Sequence, residues 1–594
     1  MKRLWSVLLV IALLFSVVGC AQSAPETTGL KDGIHTVETK GHNDTIVMEV
    51  TFDGGKIDAI NIKSHQETPG VSDPAFSKVI PAIIEHQSLA VDAISGCTVT
   101  SKAFVTGVEL AIVKAGGKVE DFQKPISKDT TVAEDVEQTA DVVIVGAGGA
   151  GLAAAVSAVE NNASVIVVEK MPAAGGNTIR SAGYYNAVDP KRQTPLGIED
   201  SIDLHIKQTY EGGDKVGNLE LITKFVNECY PTLEWIEGLG IQFKDSMTAC
   251  VGAIHERTHT PVVPLGSSYI DIYLKHLESS DKASVIYDTK AEKLIVEDGK
   301  VVGVECTGPT GNKVTLRAKN GVILATGGFS ANVEMRQEYN KLWPTLDENL
   351  PSTNHAGATG DGILMGKEVG ANLIDMEYIQ LFPLSNPDNG STKGILNGDT
   401  SNLIYVNLSG ERFTNEGGRR DDICQGILKQ EKSCFYTICD GQVYPTGDEV
   451  NLDGTPINTM VKNGEIVKAN SIEELAKALN MDPTVLKNSV DTYNTALASG
   501  KPDEFGRTLY NKPITTAPFY ARIQAPAVHH TMGGLQINTE AQVIGTDGNV
   551  IPGLWAAGEV TGGIHGSNRL GGNAIPDTAV FGKIAGANAA GAKS

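Results

Sequence analysis

The sequence predicts an α/β protein in which a small α+β domain precedes a doubly wound domain that carries an inserted α+β capping domain. Residues 31–118 alternate short β patterns with turns and end in helical stretches. From residue 140 an apolar strand, a glycine-rich turn and an alanine-rich helix follow one another, as in doubly wound sheets. Two further strand-and-glycine-turn segments, 321–328 and 553–558, lie far apart, which indicates an insertion between them.

These patterns set the predicted domain boundaries. Residues 120–139 are charged and polar without an apolar period, which is typical of a linker. A chain of 594 residues exceeds one hydrophobic core, and about 150 residues per domain suggests three or four units. The predicted segments are a signal peptide (1–20), the first domain (31–118), a linker (119–139), the doubly wound domain (140–375 and 529–594) and the inserted domain (376–528).

The N-terminus has the pattern of an export signal. Lys2 and Arg3 precede an apolar run over 4–19, which is shorter than the roughly 20 residues of a membrane-spanning helix. Its end, Val-Val-Gly-Cys20, resembles the lipobox of bacterial lipoproteins. We therefore expect acylation at Cys20 and an extracytoplasmic protein held at the cell membrane by its lipid. An unmodified signal peptide is the alternative.

Charge and cysteine pattern exclude several classes of partner. The formal net charge of −22 opposes binding to nucleic acid or to anionic lipid, so only the lipid anchor is expected to contact the membrane. The cysteines other than Cys20 form no C-x-x-C and no C-x-x-C-H motif. No metal site and no c-type haem are therefore predicted.

The first domain combines two β patterns, 45–52 and 57–62, with helical stretches at 76–86 and from 101 to 114. The turn Ser95-Gly96-Cys97-Thr98 lies between those helices. It resembles the D-x-x-S-G-A-T site of FMN-binding domains, with Cys97 in place of Ala. That resemblance implies FMN joined covalently to the Thr98 hydroxyl through a phosphodiester, by a flavin transferase. A helix cap is the alternative role of these hydroxyls.

The second domain opens on a nucleotide fingerprint. Gly146-x-Gly148-x-x-Gly151 follows a strand, opens a helix and precedes Glu169 by 18 residues. That spacing suits a pyrophosphate at the helix N-terminus and a carboxylate on the adenosine ribose. This motif alone fits NAD and FAD equally well.

Four later glycine-rich turns, at 175–178, 325–328, 359–362 and 556–559, resemble those of the fumarate reductase and urocanate reductase family. The resemblance runs from residue 140 to the end and implies non-covalent FAD. The residues expected at this cofactor are Gly146, Gly148, Gly151, Glu169, Asn177, Thr178, Gly327, Asp361, Glu559, Asn573 and Ala574.

The same resemblance implies a reaction. In this family FAD N5 passes hydride to the β-carbon of an α,β-unsaturated carboxylate, and an arginine protonates the α-carbon. R-F-T-N-E-G-G-R-R-D over 412–421 resembles the family's R-F-x-N-E-x-x-x-R-D, which makes Arg420 the acid. His529, in H-H-T-M-G-G, and Arg569, in G-I-H-G-S-N-R-L-G-G-N-A, would hold the carboxylate. A surface charge, a structural histidine and a structural ion pair are their alternative roles.

The sequence departs from fumarate reductases where those enzymes use H-P-T and T-E-x-x-R. Phe382 precedes Pro383 in the position of the His, and residues 395–399 lack the Thr, Glu and Arg. A second substrate carboxylate would lack a partner, so fumarate is disfavoured. We expect a urocanate- or cinnamate-type acid whose ring stacks on Phe382 and bonds to Asn397.

These expectations describe a lipid-anchored enoate reductase that ends an anaerobic respiratory chain. A membrane donor, a quinol or a flavoprotein-linked system, would reduce FMN, and FMN would reduce FAD. The alternatives are a fumarate reductase, an oxidase or dehydrogenase that runs the flavin in the opposite direction, and a non-enzymatic electron-transfer lipoprotein that uses FMN alone.

Overall fold

The computed structural model describes residues 30–42, 44–67, 71–94, 96–126, 131–263, 265–392, 394–396, 402–451, 454–508 and 512–591. They belong to two compact units, a smaller one within residues 1–68 and 72–129, and a larger one within 69–71 and 130–594. Cys20, Ser95 and Asn397 lie outside the described residues. Within the described part, no helix is long and apolar enough to cross a membrane.

The smaller unit packs helices on an antiparallel sheet. Its elements are β1 (Gly33–Lys40), β2 (Thr45–Asp53), β3 (Lys56–Ser64), a π-helical turn (Ala75–Val79), α1 (Ile80–His86), α2 (Thr98–Lys114) and a 3-10 turn (Val119–Phe122). The sheet order is β1-β2-β3. Alternate residues of β2, from Ile46 to Phe52, are buried in one cluster with Phe104 and Val108 of α2. The period-2 pattern of this segment thus forms the core face of the sheet.

The larger unit contains most of the chain. Its strands are β4 (Val136–Val145), β5 (Val165–Val168), β6 (Tyr185–Asn186), β7 (Thr258–His259), β8 (Ala283–Ile286), β9 (Lys290–Glu297), β10 (Lys300–Thr307), β11 (Lys313–Leu324), β12 (Leu373–Ile374), β13 (Ile379–Ser385), β14 (Ile404–Val406), β15 (Phe435–Cys439), β16 (Val467–Ala469), β17 (Phe519–Thr531), β18 (Gly534–Gln536), β19 (Gln542–Ile544), β20 (Val550–Ala556) and β21 (Thr561–Gly562). Its helices are α3 (Gly149–Glu160), α4 (Pro190–Gln193), α5 (Ile202–Gly212), α6 (Leu219–Leu239), α7 (Ser267–Glu278), α8 (Val333–Tyr339), α9 (Asp361–Glu368), α10 (Arg420–Leu428), α11 (Ile457–Lys462), α12 (Ile472–Ala478), α13 (Pro483–Ser499) and α14 (Ala574–Gly591). Short 3-10 turns lie at Thr178–Arg180, Thr194–Leu196 and Glu431–Ser433.

The central sheet of the larger unit has the order β19-β20-β11-β4-β5-β8, with β9 and β10 joined beside β11. The strands β20, β11, β4, β5 and β8 are mutually parallel. The last four residues of β4, Val142–Val145, are all buried, as expected where both faces of a parallel sheet are covered. Helix α14 packs against α3, and Gly582 and Gly586 allow their close approach because a Cβ there would meet the backbone of Ala150 or Ala154.

A second, antiparallel sheet has the order β13-β17-β15-β14, with β16 also on β17. The long strand β17 pairs through its first half with β15 and through its second half with β13. Two small sheets, β12-β18-β21 and β6-β7, complete the unit. Strand β17 thus continues from the second sheet directly into the H-H-T-M-G-G turn.

Two observed elements extend further than the sequence predicted. Strand β4 begins at Val136, inside the predicted linker, because residues 136–139 pair with 314–317 of β11. The sequence also predicts a last helix from about Asp577, and the observed helix begins three residues earlier, at Ala574. The other boundaries between predicted domains stay predictions.

A buried ionic cluster fixes the segment before α10. Glu416 is fully buried and accepts hydrogen bonds from Arg412 at 2.9 and 2.7 Å and from Arg507 at 2.7 Å. The Tyr405 backbone amide donates to the same carboxylate at 3.1 Å, which ties the cluster to β14. Arg412 also donates to the buried Asp503 carboxylate at 2.7 Å, so two carboxylates balance the two buried cations, and Glu416 is the one they share.

We expect Glu416→Gln to lower the free energy of unfolding by about 3 to 5 kcal/mol, because it removes the charge of a buried carboxylate that Arg412 and Arg507 share. Urea denaturation of the flavin-loaded protein measures this change. Asp491→Asn, which breaks the exposed Lys487–Asp491 pair of α13, is the matched control and should change the midpoint little. Equal effects of the two substitutions would contradict the role of Glu416.

Candidate functional site

A cleft of about 840 Å³ opens where β4, β5 and β11 end. The carboxyl ends of parallel strands are the usual place for nucleotide binding in doubly wound sheets. The residues that line it include Gly146, Gly148, Glu169, Asn177, Thr178, Gly327, Asp361 and Glu559, all of them expected at the cofactor. Gly151, Asn573 and Ala574 do not line this cleft.

The fingerprint glycines have two different physical roles. Gly148 caps the N-terminus of α3, and a Cβ there would meet only the Gly175 carbonyl oxygen, at 4.0 Å, so its backbone stays open to the cleft. A Cβ at Gly151 would collide with the Gly146 carbonyl oxygen, so Gly151 allows α3 to pack behind the turn. The open helix N-terminus suits a pyrophosphate.

Glu169 directly follows β5 at the edge of the cleft. Its carboxylate accepts from the Ala147 and Met171 amides, each at 2.8 Å, and burial raises its pKa. Thr326, which also lines the cleft, has a buried hydroxyl without a hydrogen-bond partner among the described residues. A held carboxylate, an unpaired hydroxyl and an open helix terminus fit the ribose and phosphates of FAD.

The other expected cofactor residues form a polar rim. Asn177 donates to Glu559 at 3.0 Å and accepts from the His355 amide at 2.8 Å, and Asp361 pairs with Lys170 at 2.7 Å. Asn573 lies in the interior, where its side chain bonds to Asn186 at 2.8 Å. The structure therefore brings most, but not all, of the expected residues to this cleft.

Arg420 and Arg569 are brought together from segments that are far apart in sequence. Arg420 begins α10 and Arg569 precedes α14, and both are buried. The Oε1 atom of Gln380 accepts from Arg420 Nη1 at 3.2 Å and from Arg569 Nη2 at 3.1 Å. Gln380 was not anticipated from the sequence, although it lies two residues before Phe382 and so shares its face of β13.

Within the described part of the chain, neither guanidinium group forms a salt bridge with a carboxylate. Glu559 and Asp577 act on Arg569 from beyond salt-bridge distance. Burial lowers the pKa of Arg420, and burial together with the nearby charge of Arg420 lowers the pKa of Arg569 to about 9. A dry site with two facing cations favours an anionic ligand.

His529 lies at a bulge in β17. Gln380 pairs with His530 and Leu381 pairs with Val528, so His529 is the extra residue. Its Nδ1 lies 2.8 Å from the Thr353 hydroxyl oxygen. Burial and the charges of Arg420 and Arg569 hold its pKa well below the usual value, so the imidazole is neutral near pH 7.

Phe382 forms an apolar wall beside these groups. Its ring centroid lies 4.8 Å from that of His529, at an interplanar angle of 32°. The Arg420 guanidinium carbon lies 5.1 Å from the Phe382 ring centroid. Ile395 and Leu396, in the segment where fumarate reductases place polar residues, are buried in the same apolar cluster as Phe382. This wall suits a flat, uncharged group.

In the smaller unit, Thr98 is exposed as the first residue of α2, and its hydroxyl donates to the Ile94 carbonyl oxygen at 3.3 Å. Cys97 is buried in the core of that unit, as a small apolar residue can be.

Across the described part of the chain, no three His, Cys, Asp or Glu side chains are grouped to hold a metal ion.

Comparison with known protein families matches one cofactor-binding domain family in each of the two units. Residues 41–113 match the FMN-binding domain family, and residues 141–575 match the FAD binding domain family. A urocanate reductase of Eggerthella lenta is 36% identical, over 93% of this chain and 92% of its own length. An NADH:acrylate oxidoreductase of Vibrio harveyi is 35% identical over 94% of this chain, which spans only 61% of that protein.

A solved structure of a flavocytochrome c3 fumarate reductase, in an open conformation, is 37% identical with a TM-score of 0.63. The similarity covers 79% of this chain and 83% of that one. The chain therefore belongs to the family of flavin-dependent fumarate and urocanate reductases, in a form that has an FMN-binding domain as well as an FAD-binding domain.

Proposed function

We propose that this protein reduces the carbon–carbon double bond of an α,β-unsaturated carboxylic acid of the urocanate or cinnamate type. The observation that carries the proposal is the pair of buried guanidinium groups, Arg420 and Arg569, joined by Gln380 and lacking a carboxylate partner in the described residues. A substrate carboxylate would supply that missing charge, because guanidinium donors match carboxylate geometry.

When bound and reduced, FAD supplies the hydride that adds to the β-carbon. Arg569, together with the neutral His529, holds the carboxylate and draws negative charge toward it as charge develops at the α-carbon. Arg420 donates a proton to the α-carbon. Its Nε and Nη2 both donate to the Val251 carbonyl oxygen, at 3.0 and 2.7 Å, which fixes the guanidinium orientation. Burial, by lowering its pKa, makes Arg420 a stronger acid than a solvated arginine.

The distal part of the substrate is argued from Phe382, Ile395 and Leu396. A second carboxylate placed there would lose its hydration without gaining a partner, at a cost of several kcal/mol. An aryl or imidazolyl ring instead gains contact with the Phe382 ring. The proposal includes a hydrogen bond from Asn397 to the substrate ring, and Asn397 lies outside the described part of the chain.

The electron supply is also part of the proposal. The exposed Thr98 hydroxyl, which a flavin transferase could reach, supports covalent attachment of FMN. A membrane quinol or flavoprotein-linked donor would reduce this FMN, and the FMN would reduce FAD. The Val-Val-Gly-Cys20 sequence supports a lipid anchor and an extracytoplasmic location.

We expect the anaerobic, flavin-loaded protein to oxidise a reduced low-potential dye faster with urocanate, cinnamate or a hydroxycinnamate than with fumarate, because only the ring acids suit the apolar wall. Phe382→Leu should lower kcat/KM for the ring acids roughly 2- to 10-fold. Acrylate, which lacks a distal group, is the matched control and should lose less kcat/KM than the ring acids, with any loss due to the contacts of Phe382 with Arg420 and His529. A preference for fumarate would overturn the substrate class, and inactivity with every acid would overturn the proposed function.

We expect Arg420→Ala to lower kcat for any accepted acid by about 10² to 10⁴, because it removes the proton donor. Binding of the saturated product acid to the oxidised protein, followed by the flavin absorbance, should weaken much less because Arg569 remains. Arg420→Lys keeps a positive charge with different geometry, so its kcat should lie between those of the wild type and Arg420→Ala. Normal turnover in Arg420→Ala would show that the acid lies elsewhere.

The low pKa of His529 predicts a pH dependence of stability. Below about pH 6.5 the unfolded chain binds a proton at this residue and the folded chain does not, so folding stability falls as pH falls. Urea unfolding between about pH 5 and pH 7 should therefore give a smaller slope of stability against pH for His529→Gln, by up to about 1.4 kcal/mol per pH unit. Identical slopes would mean that the pKa of His529 does not differ between the folded and the unfolded protein.

A further inference from the structure

The loop that follows α5 supports the turn that carries Arg569. The Asn568 side-chain amide donates to the Gly212 carbonyl oxygen at 3.1 Å, and the Ser567 backbone amide donates to that of Gly213 at 3.1 Å. The Ser567 hydroxyl donates to the Asp214 carboxylate. Gly212 at the end of α5 and the next two residues, 213 and 214, therefore hold the segment immediately before Arg569.

The same loop reaches the residue before Arg420. Arg419 Nη1 and Nη2 donate to the two carboxylate oxygens of Asp214, at 2.6 and 2.9 Å. Arg419 is also held by Asp421, whose oxygens accept from Nε at 3.0 Å and from Nη2 at 2.7 Å. The two carboxylates thus fix the whole guanidinium plane, since a bidentate pair sets direction as well as distance.

These contacts connect the segments of the two site arginines twice, once on each side. On the inner side, Gln380 joins Arg420 to Arg569. On the outer side, Arg419, Asp214 and Ser567 join the same two segments through charge-assisted hydrogen bonds. The sequence neighbours of both arginines are therefore fixed to each other by a contact that does not involve the substrate.

The backbone of Asp214 is consistent with a constrained role. Its φ is +56° and that of Lys215 is +62°, in the left-handed region that is uncommon for residues other than glycine. Such conformations persist where surrounding contacts determine them and are often found at functional sites. Here the conformation places the Asp214 carboxylate between Arg419 and Ser567.

We propose that Asp214 and Arg419 are positioning residues that set the placement of Arg420 relative to Arg569 and hence to the α-carbon of the substrate. This inference rests on the proposed function of Arg420 as the proton donor. Without the outer bridge, the segment before Arg569 would still be held by the Ser567 and Asn568 hydrogen bonds to the Gly213 and Gly212 carbonyl oxygens, whereas Arg419, next to Arg420, would lose its contact with that segment. Loss of the bridge should therefore affect proton delivery more than carboxylate binding.

The test uses Asp214→Asn, which removes the charge but retains a residue that tolerates the left-handed backbone, and Arg419→Gln. We expect each to lower kcat roughly tenfold, while KM and the affinity for the saturated product acid change less than about threefold. The solvent deuterium isotope effect on kcat should rise, because proton donation becomes slower. The double variant should lower kcat by less than the two single effects combined, since both changes break the shared Asp214–Arg419 pair.

Asp491→Asn is the matched control, because it breaks an exposed ion pair far from these segments in sequence and should leave kcat and the isotope effect unchanged. Values of kcat within twofold of wild type in both bridge variants, or additive effects in the double variant, would overturn the inference while wild-type turnover upholds the proposed function. If Asp214→Asn fails to fold, Arg419→Gln alone decides the result. A wild type that neither binds nor reduces any acid would overturn the proposed function itself.

Discussion

The burial of two like charges side by side is the constraint on which the rest of the site depends. Arg420 and Arg569 repel each other and have lost most of their water. The surrounding protein offers them neutral acceptors, the Gln380 amide oxygen and the Val251 and Leu570 carbonyl oxygens, and no carboxylate among the described residues. Dipoles hold the cations in place without cancelling their charge, so that charge remains available to a ligand.

The same constraint explains the state of the neighbouring groups. His529 stays neutral because burial lowers its pKa and because the charges of Arg420 and Arg569 lower it further, while Phe382 places an uncharged ring beside Arg420. A ligand bound here would therefore meet two guanidinium groups whose placement depends on strand β13, helix α10 and the turn before α14.

Local patterns predicted the fold well and the site only in part. The strand, turn and helix around Gly148 depend on short-range sterics, and the structure has them where the sequence indicated. The roles of Arg420, His529 and Arg569 rested on a resemblance to known motifs, and their proximity is a tertiary result. Gln380 and Asp214 could not be found from the sequence, because a glutamine in an apolar strand and an aspartate after a helix carry no distinctive pattern.

The bulge in β17 has a consequence for how this site can evolve. Because His529 has no partner opposite it on β13, the length of the strand decides which of two adjacent histidines faces Phe382. Removing or adding a single codon there would shift the alternation and turn His530, which lies beside His565 and Glu559, toward the other side. Point substitutions can tune this enzyme family gradually, whereas insertions and deletions in that strand exchange its functional groups in one step.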